Sequence, residues 1–199
     1  MRVKRSIVVT PPSVEPIDRD DIAKLDLKLE PGAEEDDLLD IWIQAAREGI
    51  EERTGRSLIT QSREMKLDYF PVCNYIEIPN GPVQEDSVVI KYFDENEAEQ
   101  TLLSSEYWVD THSPIARIVI KNYWPAIKCR PNAVTIEYDA GYGDTAAEVP
   151  ARLKSAVLLR LGHLYENRQS VITGSLTHEV PLGEDDLIQP YIIYQDAGY

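Results

Sequence analysis

Arg63-Glu64-Met65-Lys66-Leu67-Asp68-Tyr69-Phe70 is where the chain changes period. Before it, apolar residues recur every three or four positions. From Arg63 onward Met65, Leu67 and Tyr69 alternate with Lys66, Asp68 and Phe70, which predicts a strand. The two-residue period persists to about Tyr142. Tyr75 to Ile78 is a second predicted strand, closed by Pro79-Asn80-Gly81-Pro82. Val88 to Phe93 is a third, followed by the polar turn Asp94-Glu95-Asn96. Tyr107 to Asp110 and Ile115 to Ile120 are separated by Thr111-His112-Ser113-Pro114. Val134, Ile136 and Tyr138 alternate in a last strand before Gly141 and Gly143. Short consecutive strands joined by tight turns predict a small antiparallel sheet or barrel, and exclude a βαβ arrangement.

Helical patterns flank this block. From Asp36 to Thr54, Leu38, Ile41, Trp42, Ala45, Ala46 and Ile50 recur at helical spacing and predict one apolar stripe. Glu34 to Asp37 crowd the start, where the helix dipole favours acid, and Gly55 suits the left-handed cap. A second helix is predicted from Pro150 to Arg168, with Leu153, Ala156, Val157, Leu161, Leu164 and Tyr165 as its stripe. Leu158 and Leu159 widen that stripe, which predicts burial on more than one face. Asp18 to Leu25 is a short helix candidate, and Asn167 to Val180 reads as a polar loop. Glu184 to Tyr194 reads as an amphipathic segment, with Leu187, Ile188, Tyr191 and Ile192 facing one way.

The expected fold class is therefore α+β: a small helical bundle with an inserted antiparallel β-subdomain. The expected organisation is an extended lead over residues 1–16, a bundle built from 17–62 and 144–199, and a β-subdomain over 63–143.

Composition narrows the function. The chain has 199 residues and a net charge of −15. Gripping nucleic acid through phosphates needs Lys and Arg to displace counterions, so an acidic chain is unsuited to it. No apolar run is long enough for a membrane helix. Arg2, Lys4 and Arg5 precede Ile7-Val8-Val9, but Pro11-Pro12 ends that run too early for a signal peptide. Cys73 and Cys129 stand apart with no ligand spacing around them, so reduced thiols are expected, with a structural disulfide as the alternative, and no metal.

Chemistry is hard to find. Gly141-Tyr142-Gly143 lacks the remaining residues of a phosphate loop and reads as a strand-ending turn. His112, His163 and His178 are scattered, and His163 reads as a partly buried helix residue. The acidic clusters Glu34 to Asp37 and Glu184-Asp185-Asp186 sit at helix starts, where dipole and capping effects account for them. A carboxylate-dependent hydrolase remains the enzymatic alternative, and a DNA-mimicking inhibitor rests on acidity alone. No catalytic residue, metal ligand or cofactor is predicted.

The order of several short signatures resembles the head–tail connector (adaptor, head-completion) proteins of long-tailed bacteriophages. They begin with Ala-Ala-Arg-Glu at Ala45 to Glu48 and Glu-Arg-Thr-Gly-Arg-Ser-Leu at Glu52 to Leu58. Asp68-Tyr69-Phe70-Pro71, Ile78-Pro79 and Gly81-Pro82-Val83-Gln84 follow. Then come Trp124-Pro125, the run Glu137 to Gly143, and Val149 to Lys154 leading into Tyr165-Glu166-Asn167-Arg168. Val180-Pro181-Leu182-Gly183 and Leu187-Ile188-Gln189-Pro190-Tyr191 close the series. Together they span roughly residues 16 to 194. The lead is longer than usual, and Ile192 follows Pro-Tyr where the family commonly carries a basic residue.

The resemblance implies a non-enzymatic virion protein of the head–tail neck, assembled in the host cytoplasm. It implies a homo-oligomeric ring of roughly a dozen copies, packed heterologously. The portal protein and the next neck or tail-completion protein would be its partners. DNA would pass through the bore without specific binding. Twelve copies would carry about −180 in charge before screening over about 8–10 Å. A neck or tail-completion ring one position lower is the structural alternative. Candidate docking residues are Arg2, Lys4 and Arg5 in the lead and Leu187, Tyr191, Ile192, Ile193, Tyr194 and Tyr199 in the tail.

Overall fold

The computed structural model describes residues 6–20, 36–113, 115–166 and 183–193. The chain is α+β, and it divides into two compact units. One takes Gly55–Tyr142 together with the segment ending at Ser13; the other takes Val14–Thr54 and Gly143–Ile192.

The first unit is built from eight described strands: β1 (Ser6–Thr10), β2 (Gln61–Leu67), β3 (Tyr75–Ile78), β4 (Val89–Phe93), β5 (Glu99–Leu102), β6 (Tyr107–Asp110), β7 (Ala116–Ile120) and β8 (Val134–Ala140). They form a five-stranded sheet in the order β1-β2-β8-β4-β5 and a three-stranded sheet in the order β3-β7-β6. Every pairing is antiparallel. Alternation explains why one face of each strand is buried. On β2 and β8 the inward residues include Met65, Val134, Ile136 and Tyr138; on β3 and β7 they include Ile76, Ile78, Ile118 and Ile120. These residues from both sheets pack into one core. The Tyr138 hydroxyl donates to the Pro79 carbonyl at 2.9 Å, which satisfies its polar tip inside that core.

Two strands went unread in the sequence. β1 falls in the lead, expected as an extended segment outside the β-subdomain. Instead it pairs with β2, Ser6 opposite Met65 and Val8 opposite Arg63, with a bulge before Thr10. Ser6 is held by polar contacts rather than by apolar burial: its hydroxyl donates to Asn80 Oδ1 at 2.8 Å and accepts from Arg63 Nε at 3.0 Å. β5 is an edge strand whose Glu99, Gln100 and Thr101 are exposed, with only Leu102 buried. An edge strand needs no apolar stripe, so periodicity does not reveal it.

Gly141 closes β8 with φ +156°, and a Cβ there would run into the backbone of Ile59 and Thr60. Only glycine permits that approach.

The second unit holds three described helices, α1 (Asp36–Thr54), α2 (Ala151–Glu166) and α3 (Gly183–Ile188). The α1 C-terminus is capped at Gly55, φ +68°, as its sequence predicts. Pro150 opens α2, its carbonyl accepting from Lys154 N at 3.2 Å. Leu39, Ile43, Ala46 and Ile50 of α1, Leu153, Ala156, Val157 and Leu161 of α2, Ile188 of α3 and Ile17 are buried, and α2 packs against both α1 and α3. Trp42 meets Tyr165 edge to face, ring centroids 5.8 Å apart.

Here three expectations fail. The buried stripe of α1 is Leu39, Ile43, Ala46 and Ile50, so Leu38, Ile41 and Ala45 point outward. The helix carries two apolar lines, and periodicity alone cannot choose between them. Leu159 is exposed and Leu158 half-buried, so α2 is buried along one face. His163 is exposed, in the last turn of α2, rather than partly buried. The helix expected over Asp18 to Leu25 lies outside the described residues from residue 21 onward, as do the loop from Asn167 to Val180 and His178.

Candidate functional site

The expected tail contacts are only partly in view. Leu187 on α3 and Tyr191, Ile192 and Ile193 just after it are half-buried. Arg2, Lys4, Arg5, Tyr194 and Tyr199 lie outside the described residues. α3 is held in place by charge. Glu184, almost fully buried, accepts from Arg160 at 3.1 Å and from Arg53, and Asp185 accepts from Arg53 as well. The Asp185 hydrogen bond does most to hold the Arg53 guanidinium above its ordinary pKa. Arg152 donates to the Asp186 backbone carbonyl at 2.6 Å. The acids at the start of α3 are thus anchors to the other two helices, a role that the dipole argument did not foresee.

Among the described residues no group of three His, Cys, Asp or Glu side chains could hold a metal ion. Asp94 and Asp110 have displaced pKa values, and both are held low. Asp94 accepts from the backbone N–H groups of Ala98 and Asn96 and from Gln100. Asp110 is held low mainly by Arg117 at 2.6 Å, with the His112 N–H assisting. A proton-donating carboxyl needs the opposite shift. No described helix is long and apolar enough to cross a membrane.

Two outward surfaces stand out instead. The first is the outer face of the three-stranded sheet. Register places Tyr75 opposite Val119, and Val119 opposite Trp108, in one row across β3, β7 and β6. Tyr75 is 41% exposed and Trp108 59%. Lys121 lies 5.1 Å from the Trp108 ring centroid. The next row is ionic: Glu77 opposite Arg117, and Arg117 opposite Asp110. The second is the outward line of α1, where Leu38 is 40% and Ile41 60% exposed. Single exposed apolar residues are ordinary, but aligned rows of them mark contact surfaces. The strand residues could have been found in the sequence, because Tyr75 and Trp108 sit out of phase with the buried alternation of their strands.

No family model matches the chain, and no curated protein matches it. Solved structures do. The fold is shared with a chain from the neck of an empty gene transfer agent (GTA) particle computed with C6 symmetry: TM-score 0.77, 22% identity, 98% of each chain covered. A chain in the virion of a native gene transfer agent particle matches with TM-score 0.76 and 22% identity, again over 98% of both chains. A chain from the neck of the native particle computed with C12 symmetry matches with TM-score 0.73 and 20% identity over the same share of each.

Proposed function

We propose that this chain is a structural virion protein, a ring-forming head–tail adaptor that joins the portal to the tail and lets DNA pass through its bore. The observation that carries the reading is the end-to-end likeness of fold, over 98% of both chains, to chains from gene transfer agent necks and virions. Fold alone does not assign function, and the order of connector-like signatures along the sequence adds independent support. The C6 and C12 symmetries of those necks favour a ring.

The same support fits a neck or tail-completion ring one position lower, and binding to isolated portal separates the two. The primary test is electron microscopy of lysates from a phage with a stop codon in this gene. Free tails beside tailless heads support the adaptor reading; normal infectious particles overturn it.

A further inference from the structure

We propose that copies of this chain join edge to edge through their five-stranded sheets, β1 of one copy lying parallel to β5 of the next. The proposal rests on the ring reading and names the strands that would make the ring.

The five-stranded sheet ends on β1 at one side and on β5 at the other. An edge strand shows a row of backbone donors and acceptors that can pair with another chain, and charge on the strand usually blunts it. β1 carries no charge. Its Ile7, Val8 and Val9 are 56%, 44% and 60% exposed, and its bulge comes only after Val8. Alternation sends Ile7 and Val9 to one face and Val8 to the other. An uncharged edge strand, apolar on both faces, suits the addition of a further strand.

Strand direction selects which edge it meets. Each of the four pairings in the sheet is antiparallel, so β1, β8 and β5 run the same way. β1 on a second β1, or β5 on a second β5, is a two-fold contact that stops at a dimer. β1 on β5 is heterologous and closes into a ring, and copies rotated about an axis along the strands meet there in parallel.

Charge agrees with the parallel pairing. With Ser6 beside Glu99, the residues before Ser6 run alongside those before Glu99. Residues 1–5 hold three bases and no acid, and residues 94–99 hold four acids and no base. Some of that acid is already engaged. Asp94 accepts from Asn96, Ala98 and Gln100, and Glu97 lies 3.6 Å from Lys128. Arg130 sits over the nearby Phe93 ring, and Lys91 on β4 is held by Glu137. Setting Lys128 and Arg130 against the four acids still leaves the turn two charges negative. Glu95 and Glu99 are exposed and form no ion pair among the described residues. An antiparallel contact would instead set the basic lead beside residues 103–107, which hold one acid.

The test uses full-length chains. One variant carries Arg2→Glu, Lys4→Glu and Arg5→Glu; a second carries Glu95→Lys and Glu99→Lys; a third combines all five changes. Circular dichroism and melting temperature check folding. Native mass spectrometry at low salt reads assembly, alone and with isolated portal added. The expected result is rings from wild type and about ten-fold or more weaker self-association in each of the first two variants. The combined chain should recover rings, because its acidic lead meets a basic turn. Hydrogen exchange on wild type needs no variant and decides alone should one fail to fold. On assembly, alternate amides of β1 and β5 should slow about ten-fold or more. Wild-type rings whose β1 and β5 amides exchange as fast as before assembly overturn the edge pairing and leave the ring reading standing. Charge variants that assemble as well as wild type, or a combined chain that fails to recover, overturn it too. Wild type that never self-associates, alone or with portal, overturns the ring reading and the edge pairing with it.

Discussion

Arg47 and Glu51 face each other one turn apart on α1, Nη1 to Oε2 at 2.9 Å, with side chains only 3% and 9% exposed. Glu15 adds a second contact to the same guanidinium at 2.8 Å. Burial by itself would lower the Arg47 pKa, but Glu51 and Glu15 outweigh it and hold it raised. Breaking such a pair strands a charge in the interior, whereas removing both partners does not. Glu51→Leu should therefore cost about 2 kcal/mol, less than a fully stranded charge, because Glu15 and Glu48 still hold the guanidinium. Arg47→Met with Glu51→Leu should recover most of that loss. Urea unfolding followed by circular dichroism decides it; a double variant as unstable as the single one would mean that the pair itself supplies stability.

Gly55 and Gly141, both at positive φ, should respond differently to a side chain. Gly55→Ala puts a side chain at φ +68°, which costs about 1–2 kcal/mol for an L-residue, and its Cβ would meet Ile193 at an ordinary 3.6 Å. Gly141→Ala adds a collision with the backbone of Ile59 and Thr60, which cannot swing aside as a side chain can. It should cost at least 1–3 kcal/mol more. Thermal melts that rank the two equally would show that the segment from Ile59 to Thr60 yields.

Much of this architecture is legible in the residues. β3, β4, β6, β7 and β8 each carry an apolar side chain at every second position because one face meets the core, and each was predicted to within about a residue; β2 was read from Arg63 to Phe70 but runs Gln61–Leu67, because its first inward positions are the polar Gln61 and Arg63 and exposed Tyr69 lies beyond its end. β1 and β5 lie at the edges of the five-stranded sheet. Their pairing is specified by neighbours distant in sequence, Arg63 and Asn80 for Ser6, and by backbone hydrogen bonds, and neither writes a periodic signature. α1 fails in the opposite way, by excess. Leu38, Leu39, Ile41, Trp42, Ile43, Ala45, Ala46 and Ile50 supply two apolar faces. Only packing against Leu153, Val157 and Leu161 selects Leu39, Ile43, Ala46 and Ile50 as the inner one. The face not selected is the candidate contact surface, so the wrong choice of stripe hid it.

Alkaline pH should destabilise the first unit through two phenols. Burial raises the pKa of Tyr138 and of Tyr107 above the ordinary value. In the unfolded chain both ionise near pH 10, while in the folded chain they hold their protons longer. The folded state thus binds more protons there. Their contribution is intact below about pH 10 and is lost as pH rises through the raised values. Tyr138→Phe should also cost about 1–2 kcal/mol at neutral pH, because the Pro79 carbonyl loses its partner. The decisive measurement is the slope of stability between pH 9 and pH 11, which should be shallower in Tyr138→Phe than in wild type.

Glu184 should govern the half-buried segment that carries Leu187, Tyr191, Ile192 and Ile193. It sits between Arg53 of α1 and Arg160 of α2, and α3 itself is only 6 residues long. A helix that short has little stability of its own and depends on packing and anchoring. Glu184→Ala removes both anchors to Glu184, leaving Asp185 on Arg53, the Arg152 contact and buried Ile188. Local opening of residues 183–192 should become easier by about 1–2 kcal/mol, seen as amide exchange about ten-fold faster or more. Exchange in the middle of α1 and α2 should be unchanged, since their shared core does not include Glu184. If the segment docks a partner only when preformed, the same variant should weaken binding to isolated portal by a similar factor. Faster exchange with undiminished binding would instead mean that the segment folds on its partner, and that the arginine anchors serve only the free chain.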